Sequence, residues 1–255
     1  MYAEERHQAI AELVASRGRV AVTELASHFD VTTETVRRDL SQLEKLQLLR
    51  RVHGGAVSMR SVTMLEARLP DRDQVNAEEK DRIALAALSQ LPEGGGTLLI
   101  DAGTTTARLA ARLPTGEQWT VITHSVPIAA ILAPLPQVEL HLLPGRVRAA
   151  TQAAVGHATV EAIAHLRADV AFVGTNGISV RHGLSTPDPE EAATKSALVA
   201  AAERVVVLSD STKVGQERTV RFAALDDVDV LVTDDAIDTA DAKAFEAAGL
   251  EVVRA

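Results

Sequence analysis

Between residue 97 and residue 254 the sequence alternates short apolar runs with segments of helical periodicity, and this alternation constrains the fold more than any other feature. The runs TLLID, WTVIT and RVVVLS are five or six residues long and rich in apolar side chains without regular polar alternation. Such runs predict strands that are buried on both faces of a sheet. Repeated strand–helix units therefore predict an α/β domain with a doubly wound, mostly parallel sheet.

The same periodicities predict the individual elements of this sheet domain. We expect strands at residues 97–101, 119–123, 138–143, 169–173, 204–209, 229–233 and 251–254. We expect helices at residues 79–91, 104–113, 125–132, 159–166, 190–202 and 239–248. In such sheets ligands bind beyond the carboxyl ends of the strands, so the residues that follow each strand are the candidates for a binding site.

The first sixty residues follow a different pattern, typical of a small helical domain. We expect helices at residues 3–17 and 23–29, a short strand at 20–22, a tight turn at 30–32 and a hairpin at 48–57. After the turn a third helix begins, in which Thr32 or Thr33 caps the first turn. Val36, Leu40 and Leu43 then recur on one face of that helix. This order of elements predicts a winged helix-turn-helix.

The opposite side of the third helix is polar and basic, which suits the major groove of DNA. Arginine forks can read guanine edges or hold phosphates, and threonine hydroxyls can reach either. The candidate DNA contacts are Thr32, Thr33, Thr35, Arg37 and Arg38 on the helix, and Arg50, Arg51 and His53 on the hairpin. Taken alone, an Arg-Arg pair on a helix usually belongs to a solvated amphipathic helix with a loop behind it, and it is the neighbouring elements that favour DNA.

Charge is unevenly distributed along the chain. The net charge is −9, which by itself argues against nucleic acid as a partner. Residues 1–60 nevertheless carry 9 basic and 8 acidic side chains, whereas the later residues carry 17 and 27. Because the local field governs DNA contact more than the total charge, only the first part suits DNA. We expect a DNA-binding domain at residues 1–58, a linker at 59–76 and a second domain at 77–255.

Composition excludes several other classes of protein. There is no cysteine, so disulfides, thiolate metal sites and cysteine nucleophiles are excluded. The histidines show no metal-ligand spacing, and we expect neither a metal nor a cofactor. The charged N-terminus lacks the apolar core of a signal peptide, and the apolar run at 128–135 is too short to span a bilayer. We expect a cytoplasmic protein.

A Gly-Thr turn follows the first predicted strand of the sheet. Asp101 ends that strand, Gly103 lets the backbone approach a ligand, and Thr104, Thr105 and Thr106 open the next helix. The N–H groups of a helix start and three hydroxyls make a cradle for a phosphate, and Asp101 can accept a sugar hydroxyl. The segment is neither a Walker motif nor a dinucleotide fingerprint. A threonine-capped helix after a turn glycine is the plain alternative.

Polar residues also follow the other predicted strands, so glycines, hydroxyls and lysines should converge where a small anionic polyol can be held. The further candidates for binding an effector are His124, Gly145, Arg146, Gly174, Asp188, Lys195 and Lys213. Glu191 and Lys195 are one helical turn apart, a spacing that also fits a solvated ion pair.

The run ELASHFDVTTETVRRDLSQLEKLQLLRRVHGGAV resembles, almost position for position, the winged helix-turn-helix of the DeoR family of bacterial transcriptional regulators. The strand-end blocks resemble the sensor domain of that family, so the resemblance covers essentially the whole chain. That sensor domain resembles ribose-5-phosphate isomerase and related sugar-phosphate enzymes. The resemblance implies a phosphate site at residues 103–106, and sugar or phosphate contacts from Asp101, Asp188, Lys195 and Lys213.

The chain departs from the family pattern at His124, where the family commonly has asparagine. Histidine can still donate one hydrogen bond, and its charge would make effector affinity depend on pH. The alternative is that His124 only starts a helix and does not contact a ligand, and the sequence does not favour either role.

These features predict a DNA-binding transcriptional regulator, a repressor of a sugar-catabolism operon, whose second domain senses a phosphorylated sugar. The effector would change the placement of the DNA-binding heads in a homo-oligomer, either a dimer or a tetramer. The chain looks most like actinobacterial fructose-operon repressors, which suggests fructose 1-phosphate. The alternatives are an aldose–ketose isomerase with an attached winged helix, using Asp101, Asp188 or Glu191 as general base, and a nucleoid-type module without a ligand.

Overall fold

The computed structural model describes residues 3–17, 19–45, 48–52, 54–58 and 69–255. The chain divides into two compact units, residues 1–66 and 67–255. The division lies inside the stretch 59–76 that the sequence predicts as a linker, and the later part of that stretch contains a helix of the second unit. Residues 59–68 of the predicted linker lie outside the described part of the chain.

The first unit has the predicted order of elements. Its helices are α1 (Ala3–Arg17), α2 (Val22–Phe29) and α3 (Thr33–Lys45), and its strands are β1 (Arg19–Ala21), β2 (Leu49–Val52) and β3 (Gly55–Ser58). The strands pair antiparallel in the order β1-β3-β2, so the short strand joins the hairpin as expected. Val36, Leu40 and Leu43 are fully buried, together with Ile10 of α1 and Leu25 of α2. The predicted winged helix-turn-helix is confirmed.

Two glycines allow the hairpin to turn and to pair closely. Gly54 has a φ of +78°, in the left-handed region that side chains disfavour. At Gly55 a Cβ atom would lie 2.3 Å from the carbonyl oxygen of Val20 in β1. Gly54 therefore permits the turn of the hairpin, and Gly55 permits the close pairing of β3 with β1.

The second unit alternates strands and helices. The helices are α4 (Leu69–Gln74), α5 (Ala77–Ala86), α6 (Thr104–Ala110), α7 (Val126–Leu132), α8 (His157–Ile163), α9 (Pro189–Ala200) and α10 (Thr239–Ala247). The strands are β4 (Gly96–Ile100), β5 (Trp119–Thr123), β6 (Val138–Leu142), β7 (Arg146–Val147), β8 (Ala154–Val155), β9 (Ala168–Gly174), β10 (Gly177–Ser179), β11 (Gly183–Thr186), β12 (Ala202–Leu208), β13 (Val220–Ala223), β14 (Val230–Thr233) and β15 (Glu251–Arg254).

A seven-stranded parallel sheet with the order β15-β14-β12-β9-β4-β5-β6 forms the centre of this unit. The chain builds outward from β4 to β6, then returns to place β9 on the other side of β4. The order of strands thus reverses between β4 and β9. Crevices at such a switch point, outside the carboxyl ends of the strands, are where open α/β sheets bind ligands.

Apolar side chains cover both faces of the sheet. In β12, Val205 and Val207 belong to the core on one face, whereas Val206 and Leu208 belong to the core on the other. Successive side chains of a strand point to opposite faces, so a continuous apolar run is needed when both faces are buried. The predicted sheet is confirmed, with all seven strands parallel.

Several local features differ from the expected pattern. β10, β11 and β13 form a separate antiparallel sheet, and β7 pairs with β8. These strands have two to four residues, too few for an apolar periodicity to show. The helix expected at residues 79–91 begins at Ala77, and its last turn is the 3-10 helix Ala87–Gln90. Leu91 is extended because Pro92 disfavours a helical residue before it.

Candidate functional site

The start of α3 is capped by its own threonines. The hydroxyl of Thr32 accepts a hydrogen bond from the N–H of Thr35 at 3.2 Å, and the two hydroxyls lie 2.9 Å apart. Of the two expected caps, Thr32 and Thr33, it is therefore Thr32 that caps the helix. This bond stabilises the first turn of the helix that carries the candidate DNA contacts.

The outer face of α3 presents the expected polar residues to solvent. Thr33, Arg37 and Arg38 are exposed, and Arg37 lies 3.5 Å from Glu34, a loose contact between two exposed side chains. Such a contact leaves the guanidinium available for DNA. The described backbone places Arg50 and Arg51 in β2, whereas His53 lies outside the described residues.

A buried ion pair joins the recognition helix α3 to α1. Arg6 Nε donates to Asp39 Oδ2 at 2.6 Å, and His7 Nε2 lies 2.9 Å from Asp39 Oδ1. Burial by itself raises the pKa of Asp39, but the bonds from Arg6 and His7 outweigh it and lower that pKa. Sequence spacing does not predict this pair, because its members are 33 residues apart. The Arg6–Asp39 pair fixes the orientation of α3, which carries Arg37 and Arg38 on its exposed face.

A buried polar cluster occupies the switch point between β4 and β9. Asp101 directly follows β4, and one of its oxygens accepts bonds from the ammonium of Lys195 and, at 2.8 Å, from the N–H of Gly174. The ammonium also donates to the carbonyl of Gly174 at 3.0 Å. Asp101 is 0% exposed and Lys195 4%. Lys195 of α9 therefore pairs with Asp101 at the end of β4. The alternative that the sequence spacing allowed, a solvated ion pair between Lys195 and Glu191, is wrong.

His124 completes this cluster, and its two ring nitrogens face different partners. Nδ1 lies 2.8 Å from the carbonyl of Ala154, which can only accept, so Nδ1 carries a proton. Nε2 lies 3.0 Å from Asp101 Oδ1 and 3.1 Å from the N–H of Ala102. Nε2 therefore faces both a backbone N–H and the carboxylate of Asp101.

The charges in the cluster keep Asp101 ionised. Burial by itself raises the pKa of Asp101, but the ammonium of Lys195 and the bond from His124 outweigh it and lower the pKa to about 2. A carboxylate buried this fully persists only when it is paired and hydrogen-bonded. The cluster therefore holds the ends of β4 and β9 together as a fixed, charged edge.

The threonine turn follows this carboxylate and opens α6. Thr104, Thr105 and Thr106 are the first residues of α6, and the first N–H groups of a helix have no partner within it. The hydroxyl of Thr106 donates to the carbonyl of Gly103 at 3.1 Å, which closes the turn. Arg108 in the same helix donates to the carbonyl of Thr104 at 3.1 Å. The sequence prediction did not include Arg108.

A second charged network surrounds the start of α9. Asp188 caps this helix by accepting from the N–H groups of Glu190 and Glu191 at 3.0 and 2.9 Å. The guanidinium of Arg148 bonds to the carboxylate of Glu191 and lies 3.1 Å from Asp188. Glu191 also accepts a bond from Thr151 at 2.5 Å. Sequence reasoning missed Arg148, although it follows the candidate Arg146 in the same strand-end segment.

Three other candidates lie outside these bonded groups. Arg146 is exposed and pairs with Glu190. At Gly145, with a φ of +145°, a Cβ atom would lie 2.2 Å from the hydroxyl of Thr159, so this glycine allows close packing. The ammonium of Lys213 lies 4.0 Å from Asp210, in the turn after β12. Direct bonds thus join Asp101, His124, Gly174 and Lys195, while Lys213 and Arg146 bond elsewhere.

In the described part of the chain, no group of three or more histidine or carboxylate residues is placed to hold a metal ion. None of the helices there is long and apolar enough to cross a membrane.

A helix-turn-helix unit followed by a sheet unit with a charged switch point defines a DNA-binding regulator with a ligand-sensing domain.

Comparisons with known proteins give the family. Residues 6–62 match the DeoR-like helix-turn-helix domain, and residues 75–235 match the DeoR C terminal sensor domain. The HTH-type transcriptional regulator GlpR of Haloferax volcanii is 36% identical over 249 residues, 98% of this chain and 96% of the relative. The Glycerol-3-phosphate regulon repressor of Escherichia coli is 33% identical over 230 residues, 90% of each. The chain belongs to the DeoR family of transcriptional regulators, as its sequence motifs predict.

Among solved structures, the chain is similar to ribose 5 phosphate isomerase A from Neisseria gonorrhoeae over 54% of each chain, with 15% identity and a TM-score of 0.39. Membership of the DeoR family makes the chain a DNA-binding regulator, not the isomerase considered as an alternative.

Proposed function

We propose that this chain represses a sugar-catabolism operon and that a phosphorylated sugar, bound at the switch point of the sensor sheet, changes its affinity for the operator. The observation that carries the proposal is the charged cluster of Asp101, His124 and Lys195 at the carboxyl ends of β4 and β9. The name of the Escherichia coli relative, a glycerol-3-phosphate regulon repressor, supports a small phosphorylated ligand. Acting on operator DNA, the protein would work in the cytoplasm.

The proposed DNA contacts are divided between base edges and phosphates. The exposed side chains of Thr33, Arg37 and Arg38 on α3 would enter the major groove, with Thr35 beside them. Thr32, whose hydroxyl caps the helix, would position this group. The wing residues Arg50, Arg51 and His53 would meet phosphates, which fix register without reading sequence.

The proposed effector site uses the edge that the buried cluster organises. The phosphate would be held by the N–H groups of α6 at Gly103 and Thr104–Thr106 and by the ammonium of Lys213. The sugar would lie toward the start of α9, where Asp188 and the exposed Arg146 are found. Asp101, Lys195, His124, Gly145 and Gly174 would shape this edge.

Release from DNA requires only a modest coupling between the two sites. A differential affinity of about 1–3 kcal/mol changes occupancy roughly 5–150-fold. We propose that the chain acts as a homo-oligomer, a dimer or tetramer, in which the effector changes the placement of the two DNA-binding heads. Fructose 1-phosphate is our first choice of effector on the sequence resemblance, and glycerol 3-phosphate follows from the name of the relative.

A thermal-shift panel tests ligand binding directly. The full chain is heated with fructose 1-phosphate, glycerol 3-phosphate, glucose 6-phosphate, free fructose and inorganic phosphate. A ligand that binds only the native state at 100 times its dissociation constant stabilises it by about 2.7 kcal/mol. We expect one sugar phosphate to raise the melting temperature far more than the free sugar does. If every member leaves it unchanged, the proposed sensing function is wrong.

Substitution of Lys213 tests where the phosphate binds. A charge-assisted hydrogen bond is worth about 1.5–3 kcal/mol, so Lys213→Ala should require about 10–150 times more effector to release DNA. Thr105→Ala should act in the same direction but more weakly, because the backbone N–H groups remain. The titration uses a labelled duplex that the wild-type chain has enriched from a random-sequence library.

Two exposed positions on α10 provide matched controls. Lys243→Ala and Thr239→Ala make the same chemical changes away from the proposed site and should leave release unchanged. Without effector all four variants should bind the duplex like the wild type. Release of DNA by Lys213→Ala and Thr105→Ala at the wild-type effector concentration would show that the phosphate binds elsewhere.

A further inference from the structure

The short helix α4 is the first described element after residues 59–68, through which the chain passes from the DNA-binding unit to the sensor unit. It has six residues, and none of them is buried. Helices of this length are not stable by themselves, and only Leu69 contributes partial apolar burial here. Polar bonds to the rest of the sensor unit must therefore determine its position.

Bonds to three anchor residues, Ala150, Arg108 and Asp210, attach α4 and the residues just after it to the rest of the sensor unit. At its start, the N–H of Leu69 donates to the carbonyl of Ala150 at 2.9 Å. Near its end, the carboxylate of Asp73 pairs with the guanidinium of Arg108, which also donates to the carbonyl of Asp73 at 3.2 Å. The side chain of Asn76 then donates to Asp210 Oδ1 at 3.1 Å.

The end of α4 is held by a buried lysine as well. The ammonium of Lys80, in α5, donates to the carbonyls of Arg72 and Val75. These carbonyls belong to the last turn and the residue after it, where a helix has acceptors without internal partners. Lys80 thus fixes α4 to α5, while the bonds to Ala150, Arg108 and Asp210 fix it to more distant parts of the unit.

Each of the three anchors lies in or beside a different segment of the proposed effector site. Arg108 belongs to α6 and also bonds to the carbonyl of Thr104 in the threonine turn. Asp210 accepts from the N–H of Thr212 at 3.2 Å, in the turn that carries Lys213. The segment of Ala150 continues to Ala154, whose carbonyl bonds to His124. A ligand that shifts any of these segments changes a bond to α4.

We propose that residues 69–76 are the element through which effector binding changes DNA affinity, with Asp73–Arg108 and Asn76–Asp210 as the transmitting bonds. The segment lies on the covalent path between the two units and is positioned by the effector segments, not by a core of its own. The inference rests on the proposed function, because without an effector there is no signal to transmit.

The test separates coupling from binding in the full chain. The variant Asp73→Asn/Asn76→Gly removes the charge that pairs with Arg108 and the amide that bonds to Asp210. Asn76 has a φ of +53°, which glycine adopts without strain, so the backbone can keep its course. Asp73 is about half exposed, and such pairs contribute little to stability, so the variant should fold. Fluorescence of buried Trp119 checks this directly.

Two measurements are made with the sugar phosphate of the panel that most raises the wild-type melting temperature. The first is its thermal shift, which reports binding. The second is fluorescence anisotropy of the enriched duplex, which reports DNA affinity with and without the sugar phosphate. Coupling of the usual size weakens DNA binding about 5–150-fold in the wild type. In the variant we expect an unchanged thermal shift, unchanged DNA affinity without effector, and a change of less than about twofold on adding effector.

Asp71→Asn is the matched control, because it removes the same charge from an exposed position of the same helix. It should respond to effector like the wild type. If the double variant binds effector and releases DNA as the wild type does, α4 does not transmit the signal, and only this inference fails. If no sugar phosphate binds the wild type, the proposed function fails, and the inference fails with it.

Discussion

Replacement of Asp101 by asparagine should destabilise the sensor unit by several kcal/mol. The pKa of this carboxyl is lowered from 3.8 to about 2. At about 1.36 kcal/mol per pKa unit, this lowering means that the ionised carboxyl adds about 2 kcal/mol to the free energy of unfolding. Asparagine also leaves the ammonium of Lys195 buried without its counter-charge, and breaking a buried pair costs about 3–5 kcal/mol. We therefore expect a loss of about 2–5 kcal/mol at pH 7.

The single tryptophan of the chain provides the assay. Trp119 lies in β5, is 1% exposed, and belongs to the sensor unit, so its fluorescence in urea reports the unfolding of that unit alone. For a unit of this size the expected loss corresponds to a melting temperature lower by about 4–20 °C. Because the folded pKa of Asp101 lies below its unfolded value, the stabilisation is complete above about pH 4 and is lost as pH falls toward 2. The difference between wild type and variant should shrink over the same range.

Two further variants isolate the buried charge as the cause. Asp235→Asn removes an exposed carboxylate that pairs with Arg82 at 3.1 Å, and should cost less than about 1 kcal/mol. Asp101→Asn/Lys195→Met removes both charges and should recover part of the loss, because it leaves no unpaired ion. A loss below about 1 kcal/mol in Asp101→Asn would refute the view that Lys195 is a buried ion dependent on this partner.

Three predictions concern the DNA-binding unit. Arg37→Ala or Arg38→Ala should weaken binding of the enriched duplex by about 1–3 kcal/mol in a gel-shift series, and unchanged binding by both would remove α3 from the major groove. Arg51→Ala should weaken all DNA sequences about equally and lower the salt slope by about one unit, whereas altered base preference would make the wing a reader of sequence. Asp39→Asn should break the pair with Arg6 and speed hydrogen exchange in α3. Since the pKa of Asp39 is lowered on folding, the wild type should lose the same protection as pH falls below about 4.

The main sheet follows from the sequence because its strands are continuous apolar runs. The limits of β5 and β15 agree with the predicted ones, and the other strands of this sheet differ by one or two residues. The small sheet of β10, β11 and β13 could not be predicted in this way, since strands of three or four residues, two of which begin at glycines, show no period. Its formation depends on tertiary pairing with a strand about 40 residues away.

Lys195 shows why spacing alone does not predict the site. Its separation from Glu191 fits a pair on one helix, yet α9 packs so that Lys195 reaches Asp101 and Glu191 reaches Arg148. The residue types at the strand ends are visible in the sequence, and the topology rule predicts which edge they share. Which side chain bonds to which depends on how the helices pack, and a pattern along the chain does not contain that information.

The position of Asp101 also has a consequence for how the protein is made. Its partner Lys195 comes 94 residues later in the chain, and β4 must wait for β9 before its second edge is paired. A nascent chain that has reached β6 can assemble β4, β5 and β6, but it exposes the edge of β4 and leaves the carboxylate without a counter-ion. Open edges of this kind favour association with other chains. Release of a chain truncated between β6 and β9 should therefore produce aggregation-prone material, in which β4 has an open edge and Asp101 has no counter-ion.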